Sequence, residues 1–322
     1  MREQPRVSVL TPVYNTDKYL AECIESVLSQ SYDNWEYTIV NNRSTDRTLE
    51  VAQSYAKRDP RIRVHDNAEF LDIISNHNLA LRLISPDTKY CKLVSADDWL
   101  LPDCIRQMVD LAEAHPTVGI VSAYQISAAQ INNVGIPLHE TVIPGKEICR
   151  RCLLGGPYVF GAPTSLLYRA SLVRSVDSFY PNLSPHADTA ACYEYLDRCD
   201  FGFVHQILSA ERVHTGQTSE QSRIVNYYVA EGLSYLAEYG PRYLSERELP
   251  SRINQHLNNY YRFLGKSLLK RRNKEFWDYH KGQMHQSGYP LSHVRVATAA
   301  LAQIFDKLLN PKRTIENLLP RS

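Results

Sequence analysis

The 322-residue sequence contains no apolar run near the roughly 20 residues that a membrane-crossing helix needs. Its first short apolar stretch, Val7 to Val13, is broken by Ser8, Thr11 and Pro12. It lacks the long apolar core and small-residue cleavage site of a secretory leader, so the expected location is cytoplasmic. Net charge is also scarce. Lys and Arg number 36 and Asp and Glu 35, a balance of +1, which argues against a nucleic-acid partner. Only 13 Gly and 17 Pro are present, which excludes collagen-like and low-complexity chains. A Gly-rich, basic triphosphate loop is missing near the N-terminus. The seven cysteines are odd in number and form no tight framework, as reduced thiols do. Cys149 and Cys152 have the spacing of half a zinc site, but no second pair follows.

The near-zero charge conceals an asymmetry. Residues 241–322 hold 15 Lys and Arg against 6 Asp and Glu, a balance of +9. The other residues hold 21 against 29, a balance of −8. An acidic body is therefore joined to a basic tail, and such a division points to an interaction surface on the tail.

Through about residue 125, strand-like and helix-like segments alternate. Strands are expected at Val7 to Leu10, Tyr37 to Val40, Ile62 to His65, Lys89 to Val94 and Val118 to Ser122. Helices are expected at Asp17 to Gln30, Thr48 to Arg58, Ile73 to Ile84 and Pro102 to Ala114. This alternation implies an α/β fold with a largely parallel central sheet flanked by helices. Ligands of such sheets bind outside the carboxyl ends of the strands, where the polar loops of this sequence fall. From residue 226 helical periodicity returns. Ile253, Leu257, Tyr261, Leu264 and Leu268 form one stripe, and Val296, Ala300, Ile304 and Leu308 another. The expected division is 1–225 and a C-terminal helical, basic extension at 226–322.

Asp97 and Asp98 follow the apolar strand Cys91-Lys92-Leu93-Val94. Adjacent carboxylates at a strand end need a cation or solvent. A divalent cation carrying a substrate's phosphates would neutralise both, since Mg²⁺ takes one or two carboxylates plus phosphate oxygens. The other reading is a cap, with Asp98 or Asp103 opening the helix near Pro102.

Four segments in order, Val7-Ser8-Val9-Leu10-Thr11-Pro12-Val13-Tyr14-Asn15, Ser26-Val27-Leu28-Ser29-Gln30-Ser31-Tyr32, Val40-Asn41-Asn42-Arg43-Ser44-Thr45-Asp46 and Ser95-Ala96-Asp97-Asp98, resemble family 2 glycosyltransferases. The resemblance covers roughly residues 5 to 125. It implies a GT-A nucleotide-sugar-binding domain, a Mg²⁺ or Mn²⁺ ion and inverting transfer of a sugar from a nucleotide-diphospho-sugar, UDP-linked by default. The acceptor it implies is a hydroxyl of a glycan or lipid-linked sugar in bacterial surface-polysaccharide synthesis. By the same resemblance Pro12, Val13 and Tyr14 line the nucleoside pocket and Asn42 faces the base. Asp97 lies near ribose or sugar, and Asp98 holds the metal. His77 stands where the family usually has Arg, and it is a candidate for the pocket. Asp46 is read as a cap for the helix from Thr48.

Gly161-Ala162-Pro163-Thr164-Ser165-Leu166-Leu167-Tyr168-Arg169 resembles the family's strand toward the acceptor region. Asp188, ahead of an expected helix at Thr189 to Arg198, is similar to the family's catalytic base; Glu194 is the fallback. Arg212-Val213-His214 resembles the loop that closes many family sites, with His214 a metal or diphosphate ligand. Trp99, beside Asp98, is a candidate for sugar stacking. Lys266, Lys270, Arg271, Arg272 and Lys274 cluster beside apolar residues, so a basic helix at 262–281 is expected to touch an anionic membrane on its inner face, or the extension packs on protein and pairs subunits. Two alternatives stand beside the enzyme reading. One is a nucleotide-sugar-binding protein without catalysis, marked by Asn41, His77 and Ala187, and the other is a nucleotidyltransferase.

Overall fold

A computed structural model describes residues 4–182, 186–214 and 225–309. The chain divides into two compact units, Met1–His214 and Thr215–Ser322.

The first unit is built on a ten-stranded sheet. Its opening half follows the sequence pattern: β1 (Val7–Val13), α1 (Leu20–Leu28), β2 (Trp35–Asn41), α2 (Thr48–Ala56), β3 (Ile62–Asp66), α3 (Ile73–Arg82) and β4 (Tyr90–Leu93). Next come β5 (Trp99–Leu100), α4 (Cys104–Ala114), β6 (Val118–Ser127), β7 (Gln130–Asn132), β8 (Val142–Ile143) and α5 (Gly145–Leu153). The unit closes with β9 (Leu167–Arg169), α6 (Ala170–Arg174), α7 (Ala187–Tyr195) and β10 (Asp200–Glu211). The strand order is β3-β2-β1-β4-β9-β6-β10-β5, with β7 beside β6 and β8 beside β10.

β1 is parallel to both β2 and β4, so the order reverses at β1 and a crevice opens above its carboxyl end. The sheet is more mixed than the alternating pattern implies. β9 is antiparallel to both β4 and β6. No long helix precedes it; a single 3₁₀ turn at Pro163–Ser165 returns the chain to the sheet. A parallel strand would need a full crossover there. That insertion places Thr164 beside the carboxyl end of β4.

The core explains the strand readings. Val7, Val9, Val13, Tyr37 and Ile39 are buried with Leu20, Ile24 and Val27 of α1 and with Ile105, Met108 and Val109 of α4. Burial on both faces turns these strands into near-continuous apolar runs. Cys149 and Cys152 lie one turn apart on α5, neither in a disulfide, and Cys149 is buried.

The second unit is helical: α8 (Tyr227–Glu238), α9 (Gly240–Tyr243), α10 (Glu248–Leu269), α11 (Lys274–Gln286) and α12 (His293–Leu309). Asn273 caps α11 by accepting from the Phe276 N–H at 3.1 Å. The α10 stripe is buried at Ile253, Leu257, Tyr261 and Leu264, but Leu268 is exposed. On α12, Val296 and Ala300 are buried, whereas Ile304 and Leu308 face out. Both stripes lose their cover at the carboxyl ends of their helices, which no periodicity reveals.

Candidate active site

The floor of the crevice is a set of side-chain amides. Asn41 Nδ2 donates to Asp66 Oδ1 at 2.7 Å, tying the end of β2 to the end of β3. The buried Asn42 amide donates to the Leu71 carbonyl at 2.7 Å, and its oxygen accepts from the Leu71 N–H at 2.9 Å. That oxygen also accepts from Asn67 Nδ2 at 3.0 Å. Asn42, expected to face a base, therefore spends its hydrogen bonds on the 67–71 loop. Asn67 belongs to the same floor. Its Nδ2 reaches Asn42 and, at 2.9 Å, Asn76, while its Oδ1 is sealed from solvent with no hydrogen-bond partner among the described residues.

Above this floor the residues expected to line a nucleoside pocket divide. Val13 turns its side chain into the core and offers only its carbonyl, which accepts from the Asn42 N–H. Pro12 is half-buried. Tyr14 is open and meets Phe70 edge-on at 5.0 Å. Phe70 is 60% exposed, an unusual outlay for a Phe unless a flat ligand covers it. Sequence reading missed Phe70 and Asn67 because both lie in an irregular loop. Asp46 acts as expected, accepting from the Thr48 N–H at 2.9 Å and also from the Asp17 N–H at 3.2 Å.

His77, with its neighbours Asn76 and Asn78, belongs to α3, capped by Asp72, which accepts from the Ser75 N–H at 2.9 Å. Asn78 clamps the Tyr180 backbone in both directions, at 3.0 and 2.7 Å. His77 stacks on the Tyr180 ring at 5.9 Å, with Nδ1 2.8 Å from the Ile73 carbonyl. Its surroundings lower its proton affinity by desolvation, opposed by the Ile73 contact, so the ring is neutral near pH 7.

The acidic pair sits between β4 and β5. Asp98 is buried and is not the cap of α4. Its Oδ2 accepts from the Thr164 hydroxyl at 2.6 Å, and its Oδ1 from the Arg212 N–H at 3.3 Å. Burial first, then the charge of Asp97, push its carboxyl up to about 8. Asp103 precedes α4 but makes no side-chain cap; it accepts from the Ser31 hydroxyl instead.

Thr164 is itself held from two sides. Its hydroxyl accepts from the Ser95 N–H at 3.0 Å, and its carbonyl accepts from Lys92 Nζ at 2.6 Å. Lys92 is wholly buried in β4 and also donates to the Leu166 carbonyl at 3.1 Å. Burial lowers the Lys92 pKa.

The loop after β10 supplies the other side. The Arg212 guanidinium lies 5.3 Å from the Tyr19 ring and 5.0 Å from the Trp99 ring, and it pairs with Glu22. Trp99, expected to stack on sugar, thus has this cation against its ring. His214 Nε2 lies 3.1 Å from Asp97 Oδ2, and its ring packs on Tyr19 at 4.5 Å. The structure therefore joins His214 to Asp97 rather than to Asp98.

Among the described residues, no three His, Cys, Asp or Glu side chains form a ready cage for an ion. The donor set still fits a hard divalent cation. A carboxyl with its pKa raised by burial beside a second acid is short of positive charge, and Mg²⁺ uses one or two carboxylates with phosphate oxygens filling other positions. Asp98 and Asp97 would hold it, with His214 adjacent.

Asp188 lies in the first turn of α7 and is buried; the cap position before it belongs to His186. Its charge, second to burial, raises the Tyr180 phenol, which places Asp188 near the ring that carries His77. The neighbouring Thr189 hydroxyl meets the Tyr158 hydroxyl at 2.7 Å, and Tyr158 donates to the Gly161 carbonyl at 3.0 Å. Gly161 has a φ of +83°, and a Cβ there would fall 2.4 Å from Asn133 Nδ2. Segment 158–165 thus spans from α7 to the Asp98 carboxyl. Glu194 is on the same helix, six residues along, within 3.9 Å of Arg198.

The family model for glycosyl transferase family 2 matches residues 8–176, more than half of the sequence, and the chain belongs to that family. Bacillus subtilis EpsH, which is named as a glycosyltransferase, is 30% identical over 185 residues, covering 56% of this chain and 51% of EpsH. The chain thus spans about half the length of that relative. Among solved structures, S. aureus TarS residues 1–349 in complex with UDP-GlcNAc superposes with a TM-score of 0.65 at 19% identity, over 88% of this chain and 81% of that one. The mannosyltransferase PcManGT from Pyrobaculum calidifontis, in complex with GDP-Man and Mn²⁺, gives 0.54 at 17% identity, over 95% and 89%. Both likenesses establish the fold.

Proposed function

We propose that this chain is an inverting glycosyltransferase that moves a sugar from a nucleoside diphosphate to a hydroxyl of a glycan or lipid-linked acceptor, in surface-polysaccharide synthesis. The observation that carries the reading is the buried Asp98 carboxyl, fixed by Thr164 and the Arg212 N–H beside Asp97 at the reversal point of the sheet. UDP is the first donor nucleotide to test, because TarS is described in complex with UDP-GlcNAc. The open Tyr14–Phe70 pair supports a flat base above the amide floor.

In this reading Asp188 accepts the proton of the acceptor hydroxyl while the oxygen attacks the anomeric carbon. The bond from that carbon to the diphosphate breaks on the opposite face, and its electron pair leaves with the diphosphate. A divalent cation at Asp98 and Asp97 would supply charge neutralisation for that leaving group. His77, neutral and stacked on Tyr180, contributes shape and a hydrogen-bonding edge rather than charge. Arg212, against the rings of Tyr19 and Trp99 and paired with Glu22, fixes the rim beside Asp98.

A thermal-shift panel of nucleoside diphosphates, each with and without Mn²⁺, tests the reading. A ligand at 100 times its dissociation constant stabilises by about 2.7 kcal/mol, a shift of several degrees. UDP with Mn²⁺ is expected to shift the midpoint most, and the absence of a metal-dependent shift with every nucleotide refutes the site. Asp188→Asn then separates an enzyme from a binding protein. Turnover should fall ~10²–10⁴-fold with the nucleotide shift intact; unchanged turnover removes Asp188 as the base.

A further inference from the structure

The second unit carries a surface that the transferase reading does not use. α10 and α12 run side by side in the same direction. Arg295 NH2 donates to Asn258 Oδ1 at 3.0 Å, and Gln303 Nε2 donates to the Arg262 carbonyl at 2.8 Å. They approach closely where Gly265 faces Ala299; a Cβ on that glycine would fall 2.8 Å from the Ala299 carbonyl carbon. Their carboxyl ends therefore emerge together.

Between them lies an open groove of about 740 Å³ whose lining includes Arg262, Lys266, Arg295 and Asp306. Just beyond it, Lys270, Arg271, Arg272 and Lys274 occupy the turn into α11, all exposed. Apolar side chains share this end: Leu268 is 44% exposed, Leu269 41%, Phe305 59% and Leu308 69%. Water contact on so many large apolar groups at one end of a domain marks an interaction site.

We propose that this end of α10 and α12 docks on an anionic lipid leaflet, with the cations of the groove and turn against phosphate headgroups and Leu268, Leu269, Phe305 and Leu308 entering the interface. Charge selects this occupant. At this end Lys266 of the groove and the four cations of the turn make five Lys and Arg side chains, against Asp306 and Glu275. A second copy on a two-fold axis would set this patch against itself and oppose like charges. An anionic leaflet complements them and takes up the apolar side chains at the same time. Contact is peripheral, because no described helix is long and apolar enough to cross a membrane.

The test is flotation of the full chain with vesicles of phosphatidylcholine alone and of phosphatidylcholine mixed equally with phosphatidylglycerol. Binding is expected with the anionic vesicles only and should weaken as salt rises, since screening shortens the reach of the charges. Each basic residue near a leaflet contributes about fivefold, so K270E/R271E/R272E should lower partition by ~100-fold or more. F305S/L308S should lower it with the charges intact. Far-UV dichroism and the nucleotide thermal shift serve as folding controls, and the wild-type dependence on lipid charge and salt stands even if a variant fails them. Equal flotation with both vesicle types, or none with either, overturns the proposal. So does wild-type flotation by both folded variants, or a concentration-dependent dimer that either variant abolishes without changing flotation.

Discussion

Replacing Thr164 by Val tests whether Asp98 is positioned by the segment that returns the chain to β9. Val has nearly the same volume, so no cavity confuses the result. What disappears is one buried hydroxyl with two duties: it donates to Asp98 Oδ2 at 2.6 Å and accepts from the Ser95 N–H at 3.0 Å. A buried group left unsatisfied costs about 1–3 kcal/mol, and here two groups lose a partner, so destabilisation of about 3–4 kcal/mol is expected. At about 2–4 °C per kcal/mol for a domain of this size, the midpoint should fall by on the order of 10 °C. Stability alone does not establish positioning, so the decisive assay is the Mn²⁺-dependent part of the nucleotide shift. In Thr164→Val the Asp98 carboxyl loses a fixed orientation, and that part should collapse while metal-free nucleotide binding persists. Thr164→Ser restores the hydroxyl and should recover most of it. If Thr164→Val keeps the wild-type metal dependence, the hydroxyl does not set Asp98 and the argument fails.

Two further outcomes follow from other parts of the chain. Phe70→Ala should weaken nucleoside diphosphate binding roughly tenfold, because stacking of a base on an aromatic ring contributes ~1–3 kcal/mol; titration calorimetry of the variant with unchanged affinity would remove Phe70 from the pocket. His280, buried between the Tyr260 hydroxyl at 2.6 Å and the Val225 carbonyl at 2.7 Å, is lowered to about 4 by desolvation. A base lowered in this way binds protons more readily when unfolded, so its contribution is complete above the ordinary His range and is lost as pH falls from about 6.5 toward 4. The loss approaches ~3 kcal/mol at the lower end, and His280→Gln should flatten this acid dependence in thermal melts of the second unit.

The donor half of the first unit was legible because its information is local. β1, β2 and β4 are buried runs separated by helices with regular apolar spacing, and each polar loop follows its strand directly. Asp97, Asp98 and Tyr14 stand just past strand ends, where the sequence pattern alone places them. The contacts that local pattern does not show come from partners far along the chain. Asn42 looked like a base contact, but its amide is taken by Leu71, 29 residues later. Trp99 looked like a sugar platform, but Arg212 lies against its ring from 113 residues away. Asn67 and Phe70 sit in a loop without periodicity. Lys92 carries a charge within an otherwise apolar strand, and it is wholly buried. The carboxyl-terminal periodicity described helices correctly and said nothing about which turns of α10 and α12 lack cover.

Lys92 also bears on why the two halves of the site act together. A buried ammonium is costly unless its donors are all engaged. Here two of them hold the carbonyls of Thr164 and Leu166, which flank the entry to β9. The same segment reaches back through Gly161 and Tyr158 to Thr189, next to Asp188. A single short stretch, 158–166, is therefore anchored at one end by a cation under the donor-side carboxyl and at the other by the helix that carries the proposed base. Periodic elements could not supply this link, because it requires a tight turn at Gly161, an antiparallel return and a fixed 3₁₀ turn in succession. The irregularity that made the stretch opaque in sequence is what allows it to touch both the Asp98 carboxylate and the helix that carries Asp188, so substitutions within it should disturb metal binding and turnover together rather than one at a time.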